Sequence, residues 1–127
     1  MNTFSTIVIL SAEVFGAKDN ASRTDAMERL FKERGLRYQP IIGVYKDNQE
    51  QSFLVELDSP KQVEGMHRIG NMFSQECILV ADANRRAYLI NADGTETQLG
   101  KLQEVSEDKA KTLGAYSIVN GKYYVAI

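Results

Sequence analysis

A chain of 127 residues, 43% hydrophobic and 25% charged, has the size and make-up of one folded domain, which excludes disorder of the whole chain. At this length roughly two-thirds of the unfolded surface can be buried, so a core forms without disulfides or metal. The formal charge of −2 and a pI of about 5.4 argue against general nucleic-acid binding, which needs a basic face to displace counterions.

Thr6 to Leu10 is a β-branched apolar run and predicts a buried strand. The N-terminal stretch Met1 to Leu10 lacks a charged leader and is too short for a signal peptide or a membrane span. Ser11 to Asp19 reads as a loop. Ser22, with Asp25 three residues on, approximates a capping box and predicts a helix starting near Ala21 to Thr24. Its apolar residues Ala26, Met27, Leu30 and Phe31 have helical spacing, and Gly35 closes it.

Leu36 to Tyr45 predicts the next strand, with Tyr38, Ile42 and Val44 on one face. Asp47-Asn48 turns it into Gln51 to Leu57. Ser59-Pro60 signals a helix start, and Val63, Met66, Ile69, Gly70 and Phe73 share one face of that helix. Gly65 and Gly70 weaken it but allow close approach to a sheet. Glu76 to Asp82 and Arg86 to Asn91 predict a hairpin with the doublet Arg85-Arg86 at a solvated tip. Asp93-Gly94 then turns into Thr95 to Leu99. Ser106 caps a short helix whose acids lead and lysines follow, as the helix dipole prefers, and Gly114 ends it. Tyr116 to Val119, Asn120-Gly121 and Lys122 to Ile127 form the clearest hairpin, because Asn-Gly supplies the positive φ angles of a two-residue turn. The expected fold is a single α+β domain over 1–127, a largely antiparallel sheet of about 7–8 strands carrying three helices.

The chemistry centres on Arg23. On a wheel of about 100° per residue, Arg23 points along the apolar stripe of its helix. A guanidinium there needs a carboxylate or a bound anion. One reading has Arg23 rim the core and pair with Glu13 or Glu50. The other is a polar-ligand site for a phosphate or carboxylate at the helix N-terminus, completed by Asn20 and Gln75. His67 is the sole histidine, so a multi-histidine metal site is excluded, and it is expected on the flank of its helix's apolar face, as a surface or boundary residue. Cys77, the sole cysteine, is expected to be a buried strand residue, and one free thiol suits the cytoplasm. The six tyrosines permit a protein-interaction face. No nucleophile elbow, P-loop or dinucleotide fingerprint occurs.

Ser11-Ala12, Asn20-Ala21-Ser22-Arg23, Gly43, Glu50-Gln51-Ser52-Phe53-Leu54-Val55 and Phe73-Ser74-Gln75 form a spaced pattern. Through it the segment from Thr6 to Ile90 resembles a family of small bacterial proteins of unknown function with phage-encoded relatives. The departures are Glu13-Val14-Phe15, where that family has Asn-Pro, and Ser74, where it has glycine. The resemblance implies that Ser11, Asn20, Arg23, Glu50, Ser52 and Gln75 converge, and it brings no activity with it.

With Glu13 these make seven candidate ligand-binding residues; no catalytic residue, metal or cofactor is assigned. The leading expectation is a small cytoplasmic binding or regulatory protein, phage-encoded and acting on a host protein, with no membrane association. The alternative is a small-molecule-binding protein or enzyme using the Arg23 cluster on an anionic ligand. An open cleft among Arg23, Asn20, Glu50 and Gln75 favours the second, and a closed network without a cavity favours the first.

Overall fold

The computed structural model describes residues 5–127; residues 1–4, part of the stretch read for a secretion signal, lie outside it. The elements follow in the expected order: β1 (Thr6–Ser11), α1 (Asn20–Glu33), β2 (Arg37–Tyr45), β3 (Asn48–Leu57), a 3-10 turn (Pro60–Gln62) running into α2 (Val63–Met72), β4 (Cys77–Ala81), β5 (Arg86–Asn91), β6 (Glu96–Val105), α3 (Glu107–Leu113), β7 (Ala115–Val119) and β8 (Lys122–Ala126).

The antiparallel sheet closes on itself. Around the barrel the order is β1-β3-β2-β7-β8-β6-β5-β4, and β4 pairs back to β1 through Ile7↔Ala81, Val8↔Val80 and Ile9↔Leu79. Strand alternation then sorts side chains into two cores. Ile7, Ile41, Leu54, Ala81, Ala87, Leu102 and Val119 fill the barrel. Val8, Leu10, Phe53, Val55, Ile78 and Val80 face outward, under Met27 and Phe31 of α1 and Met66 and Ile69 of α2. Each of those fully buried helix side chains contributes about 2 kcal/mol by leaving water. Phe31, Tyr38 and Phe53 meet with ring centroids 5.3 to 5.8 Å apart. No helix is long and apolar enough to cross a membrane among the described residues.

Several local expectations hold. Ser59 accepts from the Lys61 amide and forms a reciprocal capping box with Gln62. Ser106 accepts from the Lys109 amide, and Gly114 ends α3 at φ 81°. Asn120 and Gly121 have φ of 52° and 78° and join paired strands, with Val119 opposite Lys122.

Others are corrected. Helix α1 starts at Asn20, with Asp19 before it making no side-chain cap, so Ser22 is an exposed first-turn residue and not the cap. The β2–β3 turn is Lys46-Asp47, both at positive φ, because Tyr45 pairs with Asn48. Strand β6 runs on to Val105, since its second half pairs with β8. Gly70 does allow close approach to the sheet, as a methyl group there would lie 2.8 Å from Ile78 Cγ2, whereas Gly65 faces open space. Arg85 is not a solvated tip residue. It is half-buried, and its Nη1 donates to the Ser5 carbonyl at 2.7 Å and the Asp82 carbonyl at 3.1 Å. That burial lowers its pKa, partly offset by Glu56 and Asp82.

Candidate functional site

The loop between β1 and α1 is tied down by the residues singled out above. Ser11 Oγ donates to the Gln51 carbonyl at 2.7 Å and accepts from the Glu13 amide at 3.0 Å. Asn20 brackets Val14, accepting from its amide at 2.8 Å and donating to its carbonyl at 3.0 Å. Gln75 Nε2 donates to the carbonyls of Glu13 at 2.9 Å and Phe73 at 3.2 Å.

Arg23 is half-buried at the centre of this loop, as its place on the wheel requires. Its partners are not carboxylates. Nε donates to the Ala12 carbonyl at 2.7 Å, Nη2 donates to the Phe73 carbonyl, and the guanidinium stands 6.0 Å from the Phe73 ring centre. Neither Glu13 nor Glu50 forms an ion pair with it among the described residues, which corrects that expectation. The carbonyls are orphan acceptors of a loop and a helix end, and a cation satisfies them without needing an anion.

Glu13 instead accepts from the Gln51 amide through its carboxylate. It therefore hangs over the end of the barrel, beside Glu50. Burial pushes the Glu50 carboxyl above the usual carboxylate range, and the neighbouring Glu13 adds to the shift, although the residue as a whole is exposed. The Cys77 thiol is also pushed up, by burial first and then by Glu76 and Glu50. Cys77 is half-buried, not buried, and its thiolate is disfavoured, so it makes a poor nucleophile.

Strand register brings a second set of groups together at this barrel end. Glu50 lies opposite Gly43, and Gly43 lies opposite Ser117 of β7. Ser52, two residues along β3 from Glu50, shares their face and pairs with Ser11. Ser52 is 3% exposed. Its hydroxyl forms no hydrogen bond among the described residues. No completely sealed side-chain polar atom lacks a partner among the described residues, so that hydroxyl keeps at least a trace of exposure. Of the seven candidates, Ser11, Glu13, Asn20, Arg23 and Gln75 are thus engaged in fixing the loop, while Glu50 and Ser52 remain available.

The sequence reading missed Ser117 and gave Gly43 no place in the site. Nothing near Ser117 in the chain marks it, because its partner Gly43 is 74 residues away by number and meets it only through barrel closure.

A hollow of about 200 Å³ at the other barrel end is lined by Ser5, Thr6, Arg37, Leu57, Asp58, Pro60 and Ala83. Its charged groups, Arg37 and Asp58, already bond each other at 2.9 Å. The acidic mouth is therefore the stronger candidate.

An eight-stranded barrel filled by its own side chains, with a polar mouth holding an acid and unbonded hydroxyls, is suited to a small molecule at that mouth. The chain belongs to the S-adenosylmethionine lyase family, whose model matches residues 8–127. No curated protein matches it. Membership corrects the expectation of a family without assigned activity. It also favours the small-molecule and enzyme alternative over a protein that binds a host partner.

Proposed function

We propose that this protein cleaves S-adenosylmethionine at the barrel mouth, with Glu50 anchoring the ligand. The observation that carries the reading is membership of the S-adenosylmethionine lyase family across nearly the whole chain. The mouth supports it. The ligand bears a sulfonium and an α-ammonium against one carboxylate, so its net charge is positive, and Glu13, Glu50 and Glu76 give that end an acidic field. Its carboxylate is the anionic part, for which the Ser52 and Ser117 hydroxyls are available as donors.

A lyase breaks a bond without adding water. The departing group from a sulfonium is a neutral thioether, so no general acid is required. In one balanced route the ligand's own carboxylate oxygen attacks its γ-carbon, forming a C–O bond as the C–S electron pair leaves with sulfur, and a lactone results. In the other, a base takes a β-proton as the C–S bond breaks, leaving an alkene. In the first route the protein needs to hold the chain folded and keep water out. A carboxylate beside the sulfonium would favour the ground state, whose charge is lost on reaction. Glu50 is better used on the ammonium, whose charge persists.

The test is incubation of purified protein with S-adenosylmethionine and mass analysis of the products. Thioether and lactone, or thioether and alkene, are expected, and their ratio identifies the route. Glu50→Gln should raise KM more than it lowers kcat if Glu50 is an anchor, and collapse kcat if it is the base. Wild-type protein that leaves S-adenosylmethionine intact would refute the reading.

A further inference from the structure

Gly43 stands in the middle of β2 at a backbone conformation that any residue can adopt. A strand-interior glycine is a local disadvantage, since it loses more chain entropy on folding and packs nothing. Turn geometry does not explain it, so space must. The crowding around it comes from a single atom. A methyl group on Gly43 would lie 2.9 Å from Ser52 Oγ, 3.7 Å from Glu50 Cγ and 3.8 Å from Ser52 Cβ. The one tight neighbour is a hydroxyl at the tip of a rotatable side chain. At Gly70, by contrast, the close atom belongs to the buried packing of Ile78, and the glycine itself is buried. Gly43 is half-exposed.

We infer that Gly43 is a specificity-determining residue: the bare backbone of β2 forms the floor on which the amino-acid end of the ligand lies, between Glu50 and Ser117. This rests on the lyase reading above. Cross-strand pairing sets Glu50 on one side of Gly43 and Ser117 on the other. The unbonded Ser52 hydroxyl lies beside the gap the missing side chain leaves. A zwitterionic amino-acid end fits that arrangement: its ammonium meets the Glu50 carboxylate, and its carboxylate meets the two hydroxyls. A side chain at position 43 would occupy the same space.

The experiment compares wild type, Gly43→Ala, Ser52→Ala and Gly43→Ala/Ser52→Ala in S-adenosylmethionine cleavage and in thermal melts. Gly43→Ala should raise KM about tenfold or more, the scale of one methyl group placed in a shaped site, while kcat changes less. Removing the Ser52 hydroxyl relieves the one short contact, so the double variant should melt like Ser52→Ala yet keep the raised KM. If the double variant returns to the KM of Ser52→Ala, Gly43 serves only to make room for Ser52, and the inference fails. It also fails if Gly43→Ala cleaves like wild type. Wild-type protein that does not consume the substrate would overturn the lyase reading, and this inference with it. An active wild type with unaffected Gly43→Ala overturns this inference alone.

Discussion

The loop held by Arg23 and the barrel mouth beside it are built from the same residue types, and they differ in what remains unbonded. Around Arg23, the polar side chains close on backbone groups of residues 12 to 14, 51 and 73. At the mouth, Glu50, Ser52 and Ser117 flank Gly43 of β2, and the Ser52 hydroxyl forms no hydrogen bond among the described residues. A buried cation is therefore a weak indicator of function by itself. Loops carry orphan carbonyls, and a guanidinium is well shaped to satisfy several of them. A hydroxyl without a bond among the described residues, next to a strand-interior glycine, is the better indicator.

Exchange of the two charged residues sharpens this contrast most. Glu50→Gln should lower kcat/KM for S-adenosylmethionine by about a hundredfold, as expected when one partner of a charge pair is lost, with no fall in melting temperature. A variant with wild-type kcat/KM would remove Glu50 from the site. Arg23→Ala should do the reverse, lowering stability by about 2 kcal/mol through the loss of charge-assisted bonds to two carbonyls. At temperatures well below its melt it should still cleave the substrate. Lost cleavage with an unchanged melt would make Arg23 a ligand group after all.

A smaller effect concerns pH. The Glu50 carboxyl is held above the usual carboxylate range, by burial first and by Glu13 second. The folded protein then keeps that proton to a higher pH than the unfolded chain does. This contribution to stability is present in acid and is lost as pH rises from the ordinary carboxylate pKa through the raised one. Glu50→Gln removes that dependence, so it should melt at or above wild type near neutral pH, with the gap closing in acid. A gap that stays constant across pH would point to packing as its cause. Catalysis should move the opposite way, falling in acid as the anchor is neutralised.

The smallest expected effect lies at the edge of the loop. Ser74 has φ 59°, a conformation that costs a side-chain-bearing residue and suits glycine. Ser74→Gly should raise stability by about 0.5 kcal/mol, after the added chain entropy of glycine is offset, without altering cleavage. A destabilised Ser74→Gly would mean that the serine makes a contact worth more than the strain.

The parts whose physics is local were legible from neighbouring residues alone. The order of strands and helices, the capping box at Ser59, the glycine stop after α3 and the Asn120-Gly121 turn each depend on residues within a few positions of one another. The wheel also placed Arg23 correctly at the edge of the core. Its partners were beyond reach of the sequence, because backbone carbonyls leave no residue-type signature and only folding brings Ala12 and Phe73 to the same guanidinium. Barrel closure was likewise decided by tertiary structure. It depends on β1 meeting β4, β2 meeting β7 and β6 meeting β8, pairings between strands distant in sequence whose alternating patterns fit an open sheet equally well. The candidate site follows from that closure: Glu50, Ser52 and Gly43 meet within the β2–β3 hairpin, but the hydroxyl of Ser117 joins them only because the sheet curls round to bring β7 beside β2.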